Sequence, residues 1–284
     1  MLRREFEDFH PLVSFLCFTF FISFSMLFTN PVCQAISLIC GFAYSAILGG
    51  ARSLKTNLRY MLPVLFLSAI MNPLFNHAGV HTITYFPNGN PLTLEAILYG
   101  LSAACMIISV MCWFSCYNKI VTSDKIIYLV GRIIPSLSLV FSMILRFVPR
   151  LMSQLKEISN ARKCIPGDKS RIKNGLDVLS ALTTQALENS VETANSMKSR
   201  GYGLPHRTSF SNFRFDLRDG AVLACILIAA VYILFGFGAI RIKYFPSIGK
   251  IPSAPYAVSV YAAYFILCTI PVSAEIFYKR RVSA

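Results

Sequence analysis

Acidic residues are scarce. Asp and Glu number 13 among 284 residues, against 27 Lys and Arg, and all charged types together make up 14% of the chain. A soluble domain carries nearer a quarter. The deficit falls in blocks, because long stretches hold no charge at all, which lipid demands and soluble cores rarely need. Two soluble domains, the division suggested by length alone, are excluded on that ground. So few acids also leave no cluster near a membrane face for metal and phosphate chemistry. Within the apolar blocks only Glu95 and Glu275 occur, both near block ends, with Asp219 at a boundary. A secondary transporter normally sets ionisable groups near the bilayer midplane. A free-standing permease and a polytopic membrane enzyme are therefore the weaker readings.

Catalytic motifs are missing too. No Gly-x-x-x-x-Gly-Lys-Ser/Thr loop is present to cradle nucleotide phosphates, and no His-Glu-x-x-His or Gly-x-Ser-x-Gly. No cleavable signal peptide is expected: Arg3 and Arg4 are mixed with Glu5, Glu7 and Asp8, and the apolar run that follows continues past Asn30-Pro31. Cysteine is plentiful, at nine, but Cys17, Cys33, Cys40, Cys105, Cys225 and Cys268 sit in apolar runs, where a thiol acts as a small hydrophobe. Cys112 and Cys116 lie four apart on one helix, and two thiols alone do not complete a zinc site.

The apolar blocks predict an all-α membrane protein with five to six transmembrane helices. Pro11 to Gly50 is long enough for two spans, turning at Asn30-Pro31. A polar loop is expected at Ala51 to Arg59, then a span from about Tyr60 to Phe75. Asn76 to Pro91 has no Lys or Arg, and its Val80 to Phe86 stretch before Pro87-Asn88-Gly89-Asn90 predicts a small hairpin. His77 and His81 in that loop read as solvated rather than metal-bound, with no carboxylate near in sequence. A span from Thr93 to Tyr117 ends in Trp113 and Tyr117, placed at the interface. The last spans are Gly220 to Ile240 and about Pro255 to Tyr278. Basic loops mark the cytoplasmic side: Arg52, Lys55 and Arg59, then Lys119 and Lys125, then Lys279, Arg280 and Arg281. Both termini are thus expected inside, and Asn76 to Pro91 outside. The loop holding Arg241, Lys243 and Lys250 falls outside, against the tendency.

The net charge of +14 has a location. Residues 119–218 carry 16 of the 27 Lys and Arg and 7 of the 13 acids. A segment tethered to a bilayer at both ends suits anionic lipid or an acidic protein, and no nucleic acid. The chain thus divides into membrane helices at 11–118, a cytoplasmic domain at 119–218 and membrane helices at 219–284. Ile133 to Val148, apolar but short and containing Arg146, is expected as a helix lying in the interface or packed against the other helices. Two amphipathic helices follow, at 150–165 and 176–201, joined by a polar turn from Pro166 to Gly175. In the second, Leu176, Leu179, Thr183, Leu187, Val191, Ala194 and Met197 recur at helical spacing. Pro166-Gly167 stops the first helix; Gly201 and Pro205 stop the second.

Each helix ends alike: Ala161-Arg162-Lys163 and Ser199-Arg200-Gly201 place an arginine in the last turn after a small residue. The plain alternative is a charge that complements the helix dipole. The small neighbour permits close approach of another backbone, and arginine offers a planar fork to a carboxylate.

These residues resemble the T component of energy-coupling-factor transporters, the family related to the cobalt-uptake Q protein, which carries two Ala-Arg-Gly motifs at the ends of cytoplasmic coupling helices. Met197 to Gly203 is close to the second motif. Lys163 stands where the first has glycine. Thr122 to Lys125 and Arg146-Phe147-Val148-Pro149-Arg150 are similar to the segment leading into those helices. The resemblance implies a scaffold without catalytic residues or cofactors, in the plasma membrane of a prokaryote. It implies two cytoplasmic ATPase subunits, which bind the ATP, seated on Ala161, Arg162, Lys163, Ser199, Arg200 and Gly201. It also implies a separate substrate-binding membrane subunit that selects the vitamin or metal ion.

Overall fold

Helix starts in this chain are set by proline and short polar caps. The computed structural model describes residues 9–77, 79–85, 91–164, 171–204, 213, 215–242, 244, 249, 252 and 254–283. The Pro87-Asn88-Gly89-Asn90 turn, Pro166-Gly167, Pro205, Lys243, Lys250 and residues 1–8 lie outside these, as do the side chains of Arg52, Lys279, Arg280 and Arg281. α1 (Pro11–Leu27) starts behind His10, whose Nδ1 accepts the Leu12 N–H at 3.3 Å. α2 (Pro31–Phe75) starts behind Asn30, whose Oδ1 accepts the Val32 N–H at 3.0 Å. A proline at the first helical position gives up an N–H that would be unpaired anyway, and its φ already suits the helix.

Ala51 to Arg59 is not the expected loop. α2 runs through it, and the chain redirects at one residue, Gly50, with φ 62° and ψ −169°. Residues 51–59 contain no proline or glycine and one β-branched residue, Thr56, so nothing stops the helix. Glycine alone takes the left-handed φ without steric cost. Two rods result, Pro31–Gly50 and Lys55–Phe75.

The expected hairpin is present: β1 (Thr82–Tyr85) pairs antiparallel with β2 (Pro91–Thr93), Thr82 opposite Thr93. α3 (Leu94–Ile120) follows, capped by Thr93, whose Oγ1 accepts the Ala96 N–H at 3.4 Å. Helices α1 to α3 share an aromatic core with α7 (Leu217–Ile240) and α8 (Pro255–Ser283). Trp113, expected at the interface, is fully buried there. Its ring centroid is 4.5 Å from that of Phe21, and its indole N–H donates to Ser37 Oγ at 2.9 Å. A buried indole needs such an acceptor, and only the packing of α3 on α2 supplies it. Cys112 and Cys116 are buried in the same packing. At Gly236 a Cβ would lie 2.4 Å from Val260 Cγ2, so α7 and α8 approach too closely there for any larger residue.

Polar ties close this unit across long sequence distances. The His10 N–H donates to Asp219 Oδ1 at 3.3 Å, while Asp219 Oδ2 accepts the Asp216 N–H at 3.1 Å as α7 begins. Asn30 Nδ2 donates to the Ile240 carbonyl at 3.0 Å and to Tyr261 Oη at 2.6 Å. After α7 the chain returns to the core, where the Tyr244 hydroxyl donates to the Thr29 carbonyl at 2.8 Å.

The chain divides into two compact units, residues 1–122 with 213–284, and residues 123–212. The second holds α4 (Ser123–Ile133), α5 (Pro135–Lys163) and α6 (Arg171–Ser199). The expected interfacial stretch and the first amphipathic helix are one 29-residue helix, α5, which passes through Pro149. A proline there removes one ladder hydrogen bond and crowds the preceding turn; the Leu, Met, Arg and Gln residues around it are good helix formers and carry the helix on. α6 already includes Arg171 to Gly175, which the sequence assigned to a turn.

Six helical segments among the described residues are long and apolar enough to cross a membrane: Pro31–Gly50, Lys55–Phe75, Leu94–Ile120, Pro135–Lys163, Leu217–Ile240 and Pro255–Ile276. This is an all-α membrane architecture. Its spans differ from the expected set in one exchange. The Pro135–Lys163 segment joins them, and α1, with 17 residues and thus about 25 Å, is the shorter apolar helix.

Candidate coupling site

The site is built from two helix ends in the second unit. α5 and α6 pack through one face each. On α5 the half-buried positions include Leu139, Met143, Phe147, Leu151, Gln154, Ile158 and Arg162, spaced by three or four. On α6 Leu182 is buried and Asn174, Val178, Ala186, Asn189 and Met197 are half-buried. The stripe picked out by periodicity is a different one. Leu176, Leu179, Leu187 and Val191 stay exposed, Leu187 at 69%. At 3.6 residues per turn the two stripes lie about a third of a circumference apart, so α6 has one apolar face engaged and another open.

The α5 end carries Ala161, Arg162 and Lys163. Arg162 Nη2 donates to Asp177 Oδ2 in the second turn of α6, an ion pair with side chains 28% and 43% exposed. Lys163 Nζ donates to Asn160 Oδ1 at 3.5 Å. The Cys164 N–H closes on the Ala161 carbonyl at 3.2 Å, with Cys164 itself in the right-handed region. Lysine in place of glycine therefore goes with a tight last turn that needs no positive φ.

The α6 end is different. Gly201 has φ +82°. Its N–H donates to the Lys198 carbonyl at 3.1 Å, and the Tyr202 N–H donates to the Met197 carbonyl at 3.0 Å. This pair of bonds is the Schellman closure, with Gly201 in the left-handed C′ position expected from the sequence. Ser199 Oγ donates to the Ser196 carbonyl at 2.9 Å. Arg200 is exposed, and its guanidinium has no hydrogen bond or ion pair among the described residues. One arginine is thus held by its own chain and the other is open to a partner.

Sequence reasoning missed Asp177 as the mate of Arg162. The signal was there: two helices joined by a short connection bring the last turn of one beside the first turns of the next. It also missed Glu95. This carboxylate is fully buried at the start of α3, and Oε1 lies 2.8 Å from His81 Nδ1, whose side chain is 73% exposed. The His81 N–H also donates to it at 3.3 Å. His81 is therefore not simply solvated, and the hairpin register of Thr82 with Thr93 is what brings a carboxylate to it. Among the described residues no group of three His, Cys, Asp or Glu side chains is placed to hold a metal ion.

A model of the family described as cobalt transport protein, CbiQ, matches residues 8–210. That span takes in both helix ends. Three relatives bear the name energy-coupling factor transporter transmembrane protein EcfT. The chain is 36% identical to that of Staphylococcus aureus over 106 residues, 35% of this chain and 39% of the relative. It is 31% identical to that of Bacillus selenitireducens over 105 residues, 34% of this chain and 39% of the relative. With that of Lactococcus lactis subsp. cremoris the identity is 30% over 105 residues, 34% and 40% of the two chains. The chain spans about two fifths of the length of the curated relatives it matches.

Proposed function

Because the chain belongs to the cobalt transport protein family CbiQ, we propose that it is the coupling subunit of an energy-coupling-factor importer driven by ATP. In this reading it has no catalytic residues or cofactor of its own. Two cytoplasmic ATPase subunits bind and hydrolyse ATP, and each receives one helix end: Ala161, Arg162 and Lys163 in one case, Ser199, Arg200 and Gly201 in the other. A separate membrane subunit binds the vitamin or metal ion, and α5 and α6 pass the ATPase movement to it. The protein spans the plasma membrane of a prokaryote several times, with both termini and the two helix ends at Arg162 and Arg200 on the cytoplasmic side.

The observation that carries this reading is Arg200. Among the described residues its guanidinium has no partner, and it stands beside a glycine at a closed helix end, on a unit rich in Lys and Arg. An arginine serving only the helix dipole needs neither the glycine nor the closure. The open apolar face of α6, with Leu176, Leu179, Leu187 and Val191 exposed, suits contact with a further membrane subunit.

Co-purification tests the proposal. The tagged chain, expressed with its neighbouring genes, is expected to bring down two ATPase chains and one small membrane protein, and uptake in proteoliposomes is expected to need all of them. A chain that purifies alone and transports alone is a permease, and the proposal fails.

A further inference from the structure

α5 changes character along its length. From Pro135 to Val148 it is apolar but for Arg146 and three serines; from Arg150 onward it is polar, with Ser153, Gln154, Lys156, Glu157 and Asn160. Arg146 and Arg150 straddle this boundary, one turn apart and on one face. Both line a groove of about 490 Å³ between α5 and α6, with Phe147, Ser190 and Thr193 beside them. Neither arginine forms a hydrogen bond or ion pair among the described residues. An unpaired cation in an apolar helix is costly, so the groove is built for an anion.

The surroundings give the anion's form. Met143, Ile144 and Phe147 line the same groove beside the arginines, Ile144 being exposed. A ligand with a negative head and an apolar tail covers both parts; free phosphate covers only the arginines. The hydroxyls add detail. Ser190 Oγ donates to the Ala186 carbonyl at 2.7 Å and Thr193 Oγ1 to the Asn189 carbonyl at 2.6 Å. With their protons engaged they offer lone pairs only, which suits a headgroup that brings hydroxyl donors. We infer that the Arg146–Arg150 groove binds a phospholipid of the phosphatidylglycerol type. The phosphodiester sits in the two guanidinium forks, the glycerol hydroxyls face Ser190 and Thr193, and the acyl chains run past Met143, Ile144 and Phe147. The site fixes the boundary of α5 at the headgroup layer. This inference rests on the membrane character of α5 and not on the ATPase reading, and it is tested on the chain alone.

The full chain is purified in mild detergent and titrated with phosphatidylglycerol or phosphatidylcholine, the bound lipid being counted by native mass spectrometry. Wild type is expected to prefer phosphatidylglycerol. Arg146→Gln and Arg150→Gln are each expected to cut that preference about fivefold, and the double variant about 25-fold, from the attraction of a single basic residue to an anionic lipid surface. Arg132→Gln removes the same charge from an exposed position on α4 and is expected to change nothing. Arg146→Lys with Arg150→Lys keeps the charge and loses the forks, and is expected to retain part of the preference with helicity unchanged, so that it reads the site even if a glutamine variant misfolds. Three results overturn the inference. One is a wild-type lipid preference in the glutamine and lysine double variants alike. Another is displacement of the lipid by inorganic phosphate at equal concentration, which makes the site a phosphate site. The last is retention of phosphatidylglycerol only when a protein partner co-purifies, which assigns the arginines to an acidic protein surface.

Discussion

Arg162 of α5 is paired with Asp177 of α6, whereas Arg200 at the end of α6 has no partner among the described residues. The two helix ends therefore start from different states. On the proposed reading, an ATPase carboxylate that takes Arg162 displaces or shares Asp177, whereas one that takes Arg200 displaces no partner among the described residues.

The first prediction is an asymmetry. Truncating one member of a desolvated charge pair costs about 2–5 kcal/mol, and a partly exposed pair such as Arg162–Asp177 contributes about 0.2–1 kcal/mol. Arg200→Ala is expected to release its ATPase more completely than Arg162→Ala, by about the 0.2–1 kcal/mol of the competing pair, and Asp177→Asn to tighten the first contact. ATPase retained on the tagged chain across a salt series measures all three. Equal losses for the two arginines, with Asp177→Asn silent, would remove the pairing from the account.

A second prediction concerns the fork. Arg200→Lys keeps charge without bidentate geometry, so uptake should recover partly relative to Arg200→Ala at matched expression. If the double variant Arg162→Ala with Arg200→Ala transports like wild type with both ATPases bound, the arginines serve the helix ends alone. That alternative leaves only a few tenths of a kcal/mol of helix stability to lose, up to about 1 kcal/mol.

Two glycines of the same helix should respond in opposite directions. Gly201 sits at φ +82°, where a side chain costs about 1–2 kcal/mol, so Gly201→Ala should speed amide exchange at Gly201 and Tyr202 positions and weaken ATPase binding. Gly175 is inside α6 with open space around it. Gly175→Ala should stabilise the helix by about 0.5–1 kcal/mol and slow exchange along its first turns.

Orientation is read by labelling. Cys164 and Cys225 are replaced first, because the other cysteines are buried or half-buried. An impermeant thiol reagent added to intact cells should then label Val80→Cys and spare Asn174→Cys. Labelling of the second in sealed cells would invert the proposed topology.

Much of the membrane architecture was legible because lipid imposes a simple rule, that spans carry little charge; Pro135–Lys163, which holds Arg146, was missed by the same rule. The hairpin and the Gly201 closure were legible from local turn chemistry. What was not legible depended on neighbours. Gly49-Gly50 followed by charged residues reads as a loop, yet the helix former content of 51–59 keeps it helical and Gly50 alone makes the turn. Trp113 near a helix end reads as an interface residue until Ser37 is seen to receive its N–H. On α6 the apolar period marks Leu176 and Leu187, while α5 packs on Val178 and Leu182; periodicity shows that a face is apolar, not which neighbour covers it. The same holds at the candidate site: both arginines were visible, whereas Asp177 becomes the mate of Arg162 only when the short connection is read as bringing the end of α5 beside the start of α6.

The ties between the chain's two ends bear on how the protein is made. His10 meets Asp219 and Asn30 meets Tyr261, partners 209 and 231 residues apart. At about 5–20 residues per second, translation takes on the order of 10–40 seconds to bring the later partner out of the ribosome. Through that interval the early helices sit in the bilayer before the His10 N–H and the Asn30 amide reach these partners, and all of residues 123–212 is synthesised before the first unit can close. Nascent-chain quality control thus has a long window in which to act, and a stalled product ending before α7 is the species it has to recognise.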